Sequence, residues 1–208
     1  MHRIIKSHLE SFAKSNGLEQ FNESTQFEMF VNYAVMSSKM IGTIEVENIT
    51  TGEGDDGIDG IGILINEELI LSVEDAKSVF STDKKSHDVE IIFIQSKRSE
   101  SFDLGDFLKF KESINNFLKL ESYNPNDEVQ KNCRTIFDLV IENVPKIRNG
   151  KPSFTARYAT TGIYKKPKEI EAAKNEFNRQ LEELGYFDHL DFQFLGRDEI
   201  TNLWISTY

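Results

Sequence analysis

The sequence predicts an α/β protein with a mixed central sheet flanked by helices. Three observations predict it. Segments with helical spacing of apolar residues alternate along the chain with short runs rich in Ile, Phe and Val. Two of those runs, residues 58–65 and 89–95, are apolar almost throughout, as strands buried on both faces are. A chain of 208 residues with 38% hydrophobic content carries enough apolar material for one sizeable core.

The elements follow in order. Ile4, Ile5, Leu9 and Phe12 give residues 3–12 a helical face. A second helix opens at Ser24 or Thr25 and runs to about Met40, with Phe27, Phe30, Val31, Ala34 and Val35 inside. Thr25 and Glu28 form a capping-box pattern at its start. Residues 43–49 alternate strictly and read as a strand or an extended lead-in. An acidic, Gly-rich turn follows, in which Glu53, Asp55 and Asp56 read as solvated. Residues 58–65 form a strand, Asn66, Glu67 and Glu68 a hairpin turn, and 69–73 its partner. A short helix lies near residues 76–80, and the strongest strand is 89–95. Helices cover about 104–120 and 127–143, separated by Asn124-Pro125-Asn126, and residues 148–152 are a loop. A strand at 153–163, a helix at 168–184, a strand at 190–195 and a helix at 198–205 complete the chain. This divides it into a core at 1–123 and an α/β extension at 124–208 that continues the same compact unit.

Several classes are excluded on composition. The single cysteine, Cys133, permits no internal disulfide and no cysteine metal site, which fits a reducing cytoplasm. The four histidines lack ligand spacing, so zinc is not expected. No run approaches a membrane span, and the charged N-terminus does not read as a signal peptide. A net charge of −11 argues against unspecific coating of nucleic acid, but leaves room for a local basic surface.

Two segments carry chemistry: Gly54-Asp55-Asp56-Gly57-Ile58-Asp59-Gly60-Ile61 and Ile91-Ile92-Phe93-Ile94-Gln95-Ser96-Lys97. Side chains two apart on a strand share a face, so Gln95 and Lys97 should project together. Asp59 opens a strand expected to pair with theirs. A carboxylate, an amide oxygen and an ammonium then meet in one pocket. A hard divalent cation, Mg²⁺ or Mn²⁺, takes oxygen ligands, here Asp59, Gln95 and the Ser96 carbonyl. Lys97 would hold or deprotonate the attacking water, or offset charge on a reacting phosphate. Glycines beside Asp59 would let a phosphate backbone approach.

These motifs resemble the PD-(D/E)XK nuclease superfamily, in its Mrr-like form with Gln before x-Lys. Residues from about 27 to 117 resemble more narrowly the N-terminal region of bacterial abortive-infection phage-resistance (AIPR) proteins. The resemblance implies a restriction-endonuclease-like fold and a DNA-directed nuclease in phage defence, with Asp59, Gln95 and Lys97 as motif residues. Many superfamily members add a Glu from the first core helix, and Glu28 is the best-placed match. AIPR proteins are usually longer, so a further C-terminal region, a defence-system partner or a homodimer is expected. Gln in place of an acid lowers the charge of the site, weakens metal affinity and favours one metal over two. It also leaves a binding module without catalysis as the alternative.

A basic run supplies candidate phosphate contacts. From residue 143 to 168 stand Lys146, Arg148, Lys151, Arg157, Lys165, Lys166 and Lys168, with Tyr158 and Tyr164 as stacking platforms. Arg98 beside Lys97 is a further candidate. The plain alternative is a solvated loop–strand–loop edge.

Overall fold

The computed structural model describes residues 1–52, 57–119 and 125–207. The acidic positions Glu53, Asp55 and Asp56 and the break at Asn124 lie outside them. In chain order the elements are α1 (Arg3–Ser15), α2 (Glu23–Ser37), β1 (Gly60–Ile65), β2 (Glu68–Leu69), α3 (Val73–Phe80), β3 (Val89–Lys97), α4 (Leu104–Leu118), α5 (Glu128–Glu142), β4 (Ser153–Thr160), α6 (Lys168–Leu184), β5 (Leu190–Leu195) and α7 (Arg197–Ile205). The five strands form one sheet in the order β2-β1-β3-β4-β5. β1 runs antiparallel to β2 and β3, whereas β4 and β5 run parallel to β3. The expected mixed α/β architecture is therefore present. The residues after 124 are not an appendage, because they supply two of the five strands.

The period-2 pattern of β3 decides which helices cover which face. Ile91 and Phe93 point into a core shared with α3, α4, α5 and α6, including Phe107, Phe117, Phe137 and Phe177. Ile92 and Ile94 point into a second core with α1, α2 and α7, including Phe12, Phe30 and Trp204. Both faces of β3 are thus dry, which explains its nearly unbroken apolar sequence. The β1–β2 hairpin turns on Asn66 and Glu67, both at positive φ (53° and 65°), the geometry of a two-residue type I′ turn. Among the described residues, no helix is long and apolar enough to cross a membrane.

Four local expectations are corrected. The partner strand expected at 69–73 is only Glu68–Leu69, and Ser72 caps α3, which opens at Val73. Residues 43–49 do not form a strand. Val46–Asn48 is a 3₁₀ turn that buries Val46 and Ile49, three apart, in the second core. The extended lead-in falls instead at 49–51, where Ile61 donates to the Ile49 carbonyl and Thr51 to the Asp59 carbonyl. The cap of α2 is Asn22, whose side chain accepts from the Thr25 N–H, so Thr25 and Glu28 are not its capping box. The strand expected at 153–163 ends at Thr160.

Candidate functional site

At the C-terminal end of β3, Asp59, Gln95 and Lys97 come together. The antiparallel register sets Gly60 opposite Ile94, which puts Asp59 beside the Gln95–Ser96 step. The Asp59 N–H donates to the Ile94 carbonyl (2.8 Å). One residue further, the ladder stops. The Ile58 carbonyl is taken by the Thr51 hydroxyl, and the Ser96 N–H turns to the Asp59 carboxylate, donating to Oδ2 at 2.7 Å. The Ser96 hydroxyl approaches the same oxygen at 3.4 Å. A side chain has replaced a backbone acceptor, and the substitution fixes where Asp59 points.

Asp59 keeps part of its surface at solvent, but protein closely surrounds its carboxyl. Burial pushes that carboxyl above the ordinary range, against the Ser96 N–H and the Lys97 ammonium, which favour the charged form. Gln95 is 1% exposed, and its Oε1 is a buried acceptor with no hydrogen-bond partner. Such an atom costs about 1–3 kcal/mol if left unmet, so it is an open valence of the fold. Lys97 is half-buried, with its Nζ 3.8 Å from Asp106 in the first turn of α4.

Two neighbours escaped the sequence reading as site residues. Tyr158 stands opposite Gln95 in the parallel register of β4 and is fully buried, with the Asp103 backbone beside its hydroxyl. Burial, with Asp106, Asp103 and Asp59 nearby, pushes its phenol far up. Asp106 brings a second carboxylate. Its only sequence signal is an acid early in a helix, which the helix dipole explains equally well. Among the described residues, no three His, Cys, Asp or Glu side chains gather in one group. The donor set here is two carboxylates, an amide oxygen and a phenol, and oxygen donors of this kind suit Mg²⁺ or Mn²⁺.

Other candidates lie elsewhere. Glu28 lines a different cavity, with Phe21, Thr25, Glu47, Thr50 and Gly52, whose walls include neither Asp59, Gln95 nor Lys97. Gly60 and Gly62 do not present backbone to a phosphate. A Cβ on Gly60 would collide with Asn32, and one on Gly62 with Met36, the next turn of α2. These glycines let a helix close on the strand. Asn32, itself buried, donates to the Asp59 carbonyl (2.9 Å) and the Thr50 hydroxyl (3.1 Å), bracing the loop from behind.

The basic run is not one surface, because β4 divides it. Lys146, Arg148 and Lys151 precede the strand at the end remote from Lys97, roughly 25 Å away along eight residues. There Arg148 pairs with Asp88 (2.9 Å), and Lys146 donates to the Phe80 carbonyl (2.6 Å). Arg157 is no phosphate contact: it is 7% exposed and its guanidinium is held by Asp191 (2.7 Å). Tyr158 is enclosed, and Tyr164 is stacked on Phe194 with its hydroxyl on Glu171, so neither is a platform for bases. Arg98, Lys165 and Lys166 remain exposed at the site end, where Arg98 pairs with Glu23 (3.0 Å). The chain segments there are bound together. Thr161 donates to the Ser99 carbonyl, Arg197 to the Gly162 carbonyl, and a Cβ on Gly162 would strike the Glu100 backbone. That contact fixes the strand end carrying Lys97. No family model, curated protein or solved structure matches this chain.

Proposed function

We propose that this protein is a divalent-metal-dependent phosphodiesterase acting on DNA, in a cytoplasmic anti-phage role, built on a restriction-endonuclease-like core. The observation that carries the reading is the buried, unpartnered Gln95 Oε1, on a strand position that the register sets beside Asp59 and two residues before Lys97. Asp59 and Gln95 would hold Mg²⁺ or Mn²⁺, with the Ser96 carbonyl as a further donor. The cation would polarise a phosphoryl oxygen and acidify a bound water. The Ser96 N–H keeps the Asp59 carboxylate oriented. Lys97 places a positive charge where negative charge grows on the phosphate, and Arg98, Lys165 and Lys166 offer exposed charge to the flanking backbone.

The test is cleavage of duplex and single-stranded DNA and of RNA in Mg²⁺, Mn²⁺ and EDTA. Metal-dependent cutting should fall by roughly a hundredfold or more in Asp59→Ala and in Lys97→Ala, with the folded spectrum kept. Wild-type protein that cuts no nucleic acid in either metal contradicts the reading. The neutral Gln95 favours one second reading, a module that binds nucleic acid without hydrolysis. Its mark is binding unaffected by EDTA and by Asp59→Ala.

A further inference from the structure

We infer that Asp106, in the first turn of α4, is the second anionic ligand of the cation site and supplies the negative charge that an amide at position 95 does not. The inference deepens the hydrolytic reading and rests on it. Asp106 is half-buried, and its carboxylate reaches Lys97 Nζ at 3.8 Å. It stands close enough to Asp59 and Tyr158 for its charge to act on both.

Helix capping does not account for the side chain. The α4 cap is made by Asp103, whose carboxylate accepts the Asp106 backbone N–H at 3.0 Å. The Asp106 carboxylate is left to face the strand end. Two further polar side chains stand at the same strand end, Gln95 and, opposite it on β4, Tyr158. They are 1% and 0% exposed; the Gln95 oxygen has no hydrogen-bond partner, whereas the Tyr158 hydroxyl has the Asp103 backbone beside it. A salt bridge from Lys97 to Asp106 alone would leave the Gln95 oxygen unmet. A cation bound by Asp59 and Asp106 would offer the Gln95 oxygen the partner it lacks. Mg²⁺ is usually held by one or two carboxylates with waters, so a site with one acid on the β1 side and one on α4 has the charge such an ion needs. The anionic ligand has then moved from β3 to the helix that follows it.

The test uses the full chain and Mn²⁺ as probe. Binding is followed by Mn²⁺ paramagnetic resonance, alone and with a non-cleavable phosphorothioate duplex, in wild type, Asp59→Asn, Asp106→Asn and Glu112→Gln. Glu112 lies on the exposed face of α4 and controls for loss of one charge. Asp106→Asn retains the backbone N–H that Asp103 caps, and a metal-free melt checks its fold. The inference predicts affinity weakened by roughly tenfold or more in Asp106→Asn and unchanged in Glu112→Gln. Asp106→Asn that binds like wild type while Asp59→Asn does not would overturn this inference and leave the hydrolytic reading standing. Wild type that binds no Mn²⁺ in either condition would overturn both.

Discussion

Asp59 illustrates how a site residue is held at a cost to the fold. Burial raises its carboxyl, so between the ordinary carboxylate range and that raised value the folded chain holds more protons than the unfolded one. Stability then falls as pH rises through this window, and at neutral pH the charge is a net burden. Lys97 and Asp106 are the charged groups facing it, one favourable and one not. Asn at position 59 keeps an oxygen for the Ser96 N–H and loses the charge. Asp59→Asn should therefore melt higher than wild type near neutrality, with the gain shrinking as pH falls through the raised value toward the ordinary carboxylate range. Melting curves across that range check it, and a variant less stable at neutral pH contradicts the account. Gln95 and Lys97 were legible as a pair because a strand's period of two needs no tertiary knowledge, and Asp59 because its strand was expected to pair with theirs. Tyr158 was not, because its place beside Gln95 depends on the parallel register of a strand reached through two helices. Asp106 was hidden by a sufficient local explanation.

Among the elements, the α2–β1 contact does most to position the site. Glycines two apart on β1 meet Asn32 and Met36 four apart on α2, so the helix lies close on the strand, and Asn32 reaches the Asp59 carbonyl. Gly60→Ala drives a methyl into a buried amide that already makes two hydrogen bonds. It should destabilise by about 1–3 kcal/mol, measurable by urea unfolding, and displace the Asp59 loop. An Ala variant as stable as wild type contradicts the packing described. The glycines were visible in the sequence, but their partner was not. The alternation at 43–49 misled for a related reason. Its residues fit a strand, yet Val46 and Ile49 reach the core only from a 3₁₀ turn.

For the whole molecule, the decisive fact is that the sheet is continuous from β2 to β5. A fragment ending before residue 124 would lose β4 and β5 and expose the edge of β3, whose Ile91 and Phe93 share a core with Phe154, Phe177 and Phe192. Such a fragment should lack a cooperative thermal transition, and a cooperative melt with near-native ellipticity contradicts the single-sheet account. The element order and class were legible from periodicity. The split of the basic run by β4 was not, because proximity along the chain places its halves at opposite ends of a strand. The same continuity brings the acid before β1, the amide and ammonium of β3, the phenol of β4 and the acid of α4 to one edge. An anomalous difference map from a crystal soaked in Mn²⁺ tests that convergence most directly. The account predicts one peak bonded to Asp59 and Gln95 at about 2.0–2.3 Å, with Asp106 as a further ligand. A map whose Mn²⁺ lies only elsewhere, with Asp59 and Gln95 not ligating, would contradict it.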